Sequence, residues 1–209
     1  MKNEGCGTAA NWNCIAVSVV VVAICTLLVI YKPEINNFDW DVLKSIQKFL
    51  SPYPKYIPWF FSEFGREYNM LWPQIAACSA LLSTRKYIKA FLLVFMTQAA
   101  YHLTDLIKGL VCRERPCGDA YPGYSFPSGH SSTTMCFLGI CIYLVLHYVG
   151  NRFWRYFLTT LFALYIFMVG ISRIWLSHHF PIDVIAGMFL GFMLVNIYIL
   201  LCKFFDRRG

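Results

Sequence analysis

Six runs of apolar residues, near 13–31, 67–84, 87–107, 131–149, 155–172 and 183–203, leave this chain few ways to fold. Each approaches the roughly 20 residues a helix needs to cross the hydrocarbon of a bilayer. In that medium an unpaired backbone N–H or C=O finds no water, so runs of this length become helices. With 58% of the 209 residues hydrophobic and 14% charged, the chain also lies outside the range of soluble domains. The expected fold class is all-α, an integral membrane bundle of six transmembrane helices forming a single domain over 1–209. The first run leads into Tyr31-Lys32-Pro33-Glu34 with no small-residue cleavage pattern, so it is expected to stay as a span rather than leave as a signal peptide.

Residues 32–66 form a long polar connection, too short for a domain. Within it Val42, Leu43, Ile46, Phe49 and Leu50 recur at helical spacing, with Asp41, Lys44, Gln47 and Lys48 on the other face. The pattern predicts an amphipathic interfacial helix between spans one and two, lying on the membrane surface. A helix packed over the bundle suits the periodicity equally well. Pro52, Pro54 and Pro58 end it, and Trp59, Phe60 and Phe61 follow as an aromatic belt at headgroup depth.

Orientation should follow the lysines and arginines, but with the N-terminus inside they divide nine and nine. Four of the outer nine (Lys108, Arg113, Arg115 and Arg173) lie in or beside the motifs described next, where a site needs them in any topology. The outer side also holds nine of the eleven acids, while Arg85, Lys86, Lys89, Arg152, Arg155, Lys203, Arg207 and Arg208 flank the inner ends. The expected arrangement is a multi-pass protein of the cell membrane with both termini cytoplasmic and the motifs facing out.

The net charge of +7 is scattered over loops and forms no basic stripe, which argues against nucleic acid as a partner and for anionic headgroups. Of nine cysteines, Cys25, Cys78, Cys136, Cys141 and Cys202 sit in apolar runs as small hydrophobes. None shows metal-ligand spacing, so neither a metal nor a cofactor is expected. Cys112 and Cys117 could pair on the outer side; spacing alone leaves that open.

The third run carries Gln98, Tyr101, His102, Asp105 and Lys108, most of them on one helical face that must point into the bundle or a wet cavity. Three short strings then concentrate the chemistry: Lys108 with Arg115-Pro116, Pro127-Ser128-Gly129-His130, and Ser172-Arg173 with His179 and Asp183. Cleaving a phosphate ester requires positive charge on the equatorial oxygens, a nucleophile in line, and a proton for the leaving oxygen. Lys108, Arg115 and Arg173 can supply the charge. Ser128 and Gly129 stand where the fourth span begins, so their backbone N–H groups can face an anion. His179 and Asp183, four residues apart, allow the carboxylate to accept from one ring nitrogen and leave the other free as a nucleophile. His130 can then protonate the leaving oxygen. Any one of these signals is usually structural; together, at the ends of membrane spans where charge is costly, they are not.

Lys-x6-Arg-Pro, Pro-Ser-Gly-His and Ser-Arg-x5-His-x3-Asp resemble, without a departure, the three signatures of the type 2 phosphatidic acid phosphatase superfamily. The resemblance implies a six-span lipid phosphatase in which His179 is the nucleophile that forms a phosphohistidine, Asp183 orients it and His130 is the acid. It likewise implies that Lys108, Arg115, Ser128, Gly129 and Arg173 bind the phosphate. The family spacing selects His179 over its neighbour His178 and gives no role to His102, Asp105 or Glu114. The implied substrate is a lipid phosphate or diphosphate met in the bilayer, in first place a polyprenyl diphosphate of the undecaprenyl type. Phosphatidylglycerophosphate, phosphatidic acid and lipid A phosphates are the alternatives. The related vanadate-dependent haloperoxidases would be larger and soluble, and a non-catalytic transporter or scaffold could dispense with His179 or Asp183.

Overall fold

The computed structural model describes residues 4–32, 34–65 and 67–207; Pro33 and Arg208, both used above, lie outside them. Among the described residues there are eight α-helices and no strand. They are α1 (Glu4–Tyr31), α2 (Glu34–Leu50), α3 (Tyr56–Phe64), α4 (Glu67–Ser83), α5 (Tyr87–Val111), α6 (Gly129–Tyr148), α7 (Arg152–Trp175) and α8 (Pro181–Asp206), with a 3-10 turn at Gly118–Ala120. Five of these, α1, α5, α6, α7 and α8, are long and apolar enough to cross a membrane. The chain is thus a helical multi-pass membrane protein. Helix α4 coincides with the expected second span, but it is 17 residues long and carries Pro73 in its interior, where one backbone hydrogen bond is lost.

Helix α8 stands at the centre, packed against α1, α5, α6, α7 and α2. In lipid, apolar burial gives helices no mutual attraction, so close packing must hold them. Gly187 and Gly191 supply it: a Cβ at either position would collide with the backbone carbonyl of Ser128 or Ser132 on α6. Gly139 makes the same kind of room for Val195. Around this contact lie Leu93, Met96 and Ala100 of α5, Phe137 and Ile140 of α6, Ile166 of α7, and Leu194 and Tyr198 of α8. The approach of α8 to the first turn of α6 is what sets the Ser128-Gly129-His130 string beside the start of α8.

Residues 32–66 hold one more helix than expected and a longer first one. Helix α2 starts at Glu34, earlier than the periodicity indicated, and it buries Asp39 and Leu43 while Phe49 is 75% exposed. Its inner face is mixed: Leu43 and Ile46 pack in the core beside buried Asp39, and Gln47 donates to Trp175 O (2.9 Å) and Ser177 Oγ (2.7 Å). The segment after it is a helix, α3, since Pro58 falls in the first turn, where no N–H is needed. Trp59 and Phe60 face outward, but Phe61 turns in against Tyr165, 5.2 Å between ring centres.

Candidate active site

A cavity of about 480 Å³ opens where α5 ends, α6 begins and the α7–α8 loop turns. Lys108, Arg115, Gly129, His130, Arg173 and His179 line it, with Asp105, Thr133, Tyr101, Tyr121, Pro122 and Gly65. Residues 71 positions apart in sequence therefore share one space. Ser128 and Asp183 stand behind this wall, both fully buried.

Each element delivers its side chain for a local reason. Lys108 sits in the last turn of α5, and Cys112, in the left-handed region (φ 51°), closes the helix and turns the chain. Arg115 is then pinned on three sides. Its Nε donates to Gly123 O (2.8 Å), and its Nη1 donates to His178 O (2.8 Å) and lies 3.1 Å from His179 Nε2. Arg173, in the last turn of α7, is 1% exposed and donates to Ser62 Oγ of α3. Tyr121 lies beneath both guanidinium groups, 4.7 Å from that of Arg115 and 5.5 Å from that of Arg173. Such a ring offers its electron-rich face to cations that must crowd together.

The contact between Arg115 and His179 assigns the imidazole tautomer. A guanidinium can only donate, so Nε2 is the acceptor and Nδ1 carries the proton. The lone pair of Nε2 consequently faces Arg115 Nη1, another lining group of the cavity. Burial and the charges of Arg173, Arg115 and Lys108 hold the His179 pKa well below the ordinary histidine range, which favours the neutral ring. His130 Nε2 is buried with no hydrogen-bond partner among the described residues, and its ring packs so tightly against Gly65 that a Cβ there would lie 2.7 Å from Cδ2.

Two details differ from the sequence-based expectation. His179 Nδ1 is 3.7 Å from Asp183 Oδ2, beyond hydrogen-bond length. The reason is that His179 precedes α8 rather than lying on it, while Asp183 caps the helix by accepting from Phe180 N (2.9 Å) and pairs with Arg113 Nη1 (2.6 Å). The second concerns Ser128: its N–H donates to Asp183 O (2.9 Å), and its hydroxyl oxygen accepts from Ser131 N and Ser131 Oγ as the α6 cap. Only the N–H groups after it are left for an anion. His178 turns away and stacks on Tyr121 at 4.4 Å. Cys112 and Cys117 are both free thiols. Among the described residues no three His, Cys, Asp or Glu side chains gather where they could hold a metal ion.

Arg113, Asp39, Ser62, Gly65 and Tyr121 were not singled out by spacing. All five belong to the connection between the first two runs or to the loop after α5, where no periodicity marks them, though Arg113, two residues before Arg115, was counted among the cations beside the motifs.

Fold and cavity together define a multi-pass membrane protein that gathers cations and histidines around an anion-sized space at one end of its bundle. The chain belongs to the PAP2 superfamily, whose family profile matches residues 89–207. Similar proteins include phosphatidylglycerophosphatase B of Bacillus subtilis, 34% identical over 126 residues, covering 56% of this chain and 57% of that protein. An undecaprenyl-diphosphatase of Sulfolobus acidocaldarius is 28% identical over 141 residues, covering 63% of each chain. The matched stretch thus spans less than two thirds of either relative. In fold, the chain is similar to the transmembrane PAP2-type phosphatidylglycerolphosphate phosphatase of Bacillus subtilis, with a TM-score of 0.77 at 20% identity, over 95% of this chain and 96% of that one. LpxE of Aquifex aeolicus follows at 0.58 and 22% identity, over 77% and 94%.

Proposed function

We infer that the chain is an integral membrane lipid phosphatase working through a phosphohistidine and without a metal ion. The observation that carries this reading is His179, its Nε2 held 3.1 Å from Arg115 Nη1 in the wall of a cavity that Lys108 and Arg173 also line. An entering phosphate would draw Arg115 Nη1 from Nε2 onto its own oxygens. Nε2 then attacks phosphorus as the phosphorus–oxygen bond to the lipid breaks, and His130 Nε2 passes its proton to the departing oxygen. Water next attacks the phosphohistidine, giving its proton back to His130 and releasing phosphate. The three cations stabilise the spread charge of both transition states.

The six-span arrangement counts α4 as the second span, beside α5, with both termini cytoplasmic and the cavity at the outer surface. Helix α2 would then lie at the interface, an arrangement supported by exposed Phe38, Trp40 and Phe49 next to Lys44 and Lys48. The chain acts as one domain, since α1, α2 and α3 all pack against the matched segment.

For substrate, a polyprenyl diphosphate remains the first reading, in keeping with the undecaprenyl-diphosphatase relative. A specific feature favours a second, a glycerolipid phosphate such as phosphatidylglycerophosphate. The cavity adjoins a groove of about 240 Å³ lined by Gln74, Gln98 and His102, and shares Gly65, Tyr101 and Thr133 with it. Such donors suit ester carbonyls better than a hydrocarbon chain. Phosphate release from purified polyprenyl diphosphate, phosphatidylglycerophosphate, phosphatidic acid and lipid A, in detergent with excess chelator, tests both levels. Turnover should persist in chelator and stop with vanadate; a requirement for added divalent metal overturns the mechanism, and the ranking of kcat/KM decides the lipid.

A further inference from the structure

Behind His179 lies a second layer of charge that the steps above do not use. Asp183, fully buried, receives Arg113 Nη1 on Oδ1 at 2.6 Å. The other arm of the same guanidinium reaches α2, where Nη2 donates to Asp39 Oδ2 (2.7 Å) and Asn36 Oδ1 (2.8 Å). Asp39, itself 1% exposed, accepts from Ile182 N (3.3 Å) through Oδ1, in the turn of α8 that carries Asp183. The guanidinium plane covers Phe180, 4.1 Å from the ring centre. Arg113 is thus fixed by α2, by the α7–α8 loop and by the start of α8, and it does not line the cavity.

We propose that Arg113 is a positioning residue for phosphoryl transfer, anchored by Asp39 and Asn36, which keeps Asp183 ionised and aimed at His179. The proposal rests on the reading of His179 as the nucleophile. A buried carboxylate without a cation takes up a proton instead, and a protonated Asp183 no longer holds a negative charge 3.7 Å from His179 Nδ1. Two carboxylates must be served at once, one by each arm, which a guanidinium fork does and a point-charge ammonium does not. Asp39 acts in the opposite direction, drawing Arg113 toward α2 and so moderating how much positive charge reaches Asp183.

The groups facing the His179–Asp183 pair come from every element packed around it: Lys108 and Asp105 on α5, Arg113 and Arg115 after it, His130 on α6 and Arg173 on α7. His178 precedes it in the loop, and Asp39 on α2 and Cys25 on α1 face it from behind. All stay in place when Arg113 alone is changed, so its effect can be read separately.

The test measures phosphate release by the purified full chain from farnesyl diphosphate and dioctanoyl phosphatidic acid, across pH, with folded protein quantified by thermal unfolding. Arg113→Gln should lower kcat by about 10- to 100-fold with little change in KM, as losing a residue behind the reacting groups does. Its acid limb in kcat/KM should move to higher pH, because the pair now binds a proton more readily. Arg113→Lys should return the limb toward the wild-type position while recovering only part of kcat. Asp39→Asn should lower kcat by less than about 10-fold and leave the limb unmoved or lower, the opposite sign. A loss in Arg113→Gln that tracks only the folded fraction, an unmoved limb, or a defect confined to KM overturns the positioning role. Should Arg113→Gln not fold, wild-type kcat and limb in both Arg113→Lys and Asp39→Asn overturn it equally. Wild-type protein that releases no phosphate from either lipid overturns the nucleophile reading, and this role with it.

Discussion

The two ends of α5 carry one lysine each, and the bundle treats them oppositely. Lys89, in the first turn, donates to Asp206 Oδ2 of α8 at 2.8 Å and to Tyr148 Oη of α6 at 2.7 Å. Lys108, in the last turn, instead shares a cavity with Arg115, Arg173, His130 and His179, where Asp105 is the only carboxylate among the described lining residues. A paired charge ties helices together; like charges gathered around open space oppose folding until an anion joins them. The Lys89 end is thus read as fastening and the Lys108 end as function, and this division can be attacked directly.

The largest effect should come from His179, the proposed nucleophile. His179→Ala is expected to lower kcat by at least about 10⁴-fold and to abolish acid-labile phosphoenzyme, as removal of a nucleophile does. His178→Ala, one position away, should keep phosphoenzyme formation, since its ring stacks on Tyr121 outside the lining. The reverse result, read by rapid-quench labelling, would place the reacting nitrogen on the wrong residue.

Next comes the helix contact that places the site. Gly187→Ala would press a methyl group against Ser128 O and drive the start of α6 away from α8. A displacement near 1 Å at a reacting geometry costs on the order of 100-fold in rate, and forced overpacking costs about 1–3 kcal/mol. The expected signature is a kcat loss larger than the fall in thermal stability accounts for. Wild-type kcat in a stably folded Gly187→Ala variant would show that α6 has room to spare.

This contact also shows what the sequence could and could not reveal. Five of the six expected spans were legible because lipid forces backbone bonds inside each run, and the three motif strings stood out because charge at span ends has few structural uses. Gly187 and Gly191 gave no such signal, because their role exists only against the carbonyls of another helix. Gln47 misled, and Asp39 went unremarked, for a related reason. Polar residues on an amphipathic helix normally face water, whereas here their partners are Arg113, 74 positions away, and the Trp175–Ser177 loop, 128 to 130 positions away. The expected hydrogen bond from His179 to Asp183 is replaced by a 3.7 Å approach, because His179 precedes α8, which starts at Pro181, and the Asp183 oxygens accept from Phe180 N and Arg113.

A smaller effect follows from the charge crowding at the Lys108 end. His179 has its pKa lowered by burial first and then by Arg173, Arg115 and Lys108. For a histidine that reacts as the neutral ring, a lowered pKa means activity is lost only as pH falls through that lower value. An unperturbed ring would lose about tenfold per unit below roughly pH 6.5. The acid limb of kcat/KM assigned to the nucleophile should therefore lie below about pH 6.5, and Arg115→Gln should raise it by removing one of the depressing charges. A wild-type limb at or above that value would mean the cations do not act on His179.

The smallest effect is expected at the opposite end, where it serves as the control. Lys89→Met keeps the apolar stem in its buried place while deleting the bonds to Asp206 and Tyr148. Because the Asp206 side chain is 53% exposed, water replaces much of what the carboxylate loses. Pairs of this kind contribute about 0–1 kcal/mol, so the midpoint of thermal unfolding should fall by a few degrees at most and kcat should be unchanged. A drop in kcat comparable to that of Gly187→Ala would mean that the fastening end transmits to the cavity along α5, and that the two ends are one device rather than two.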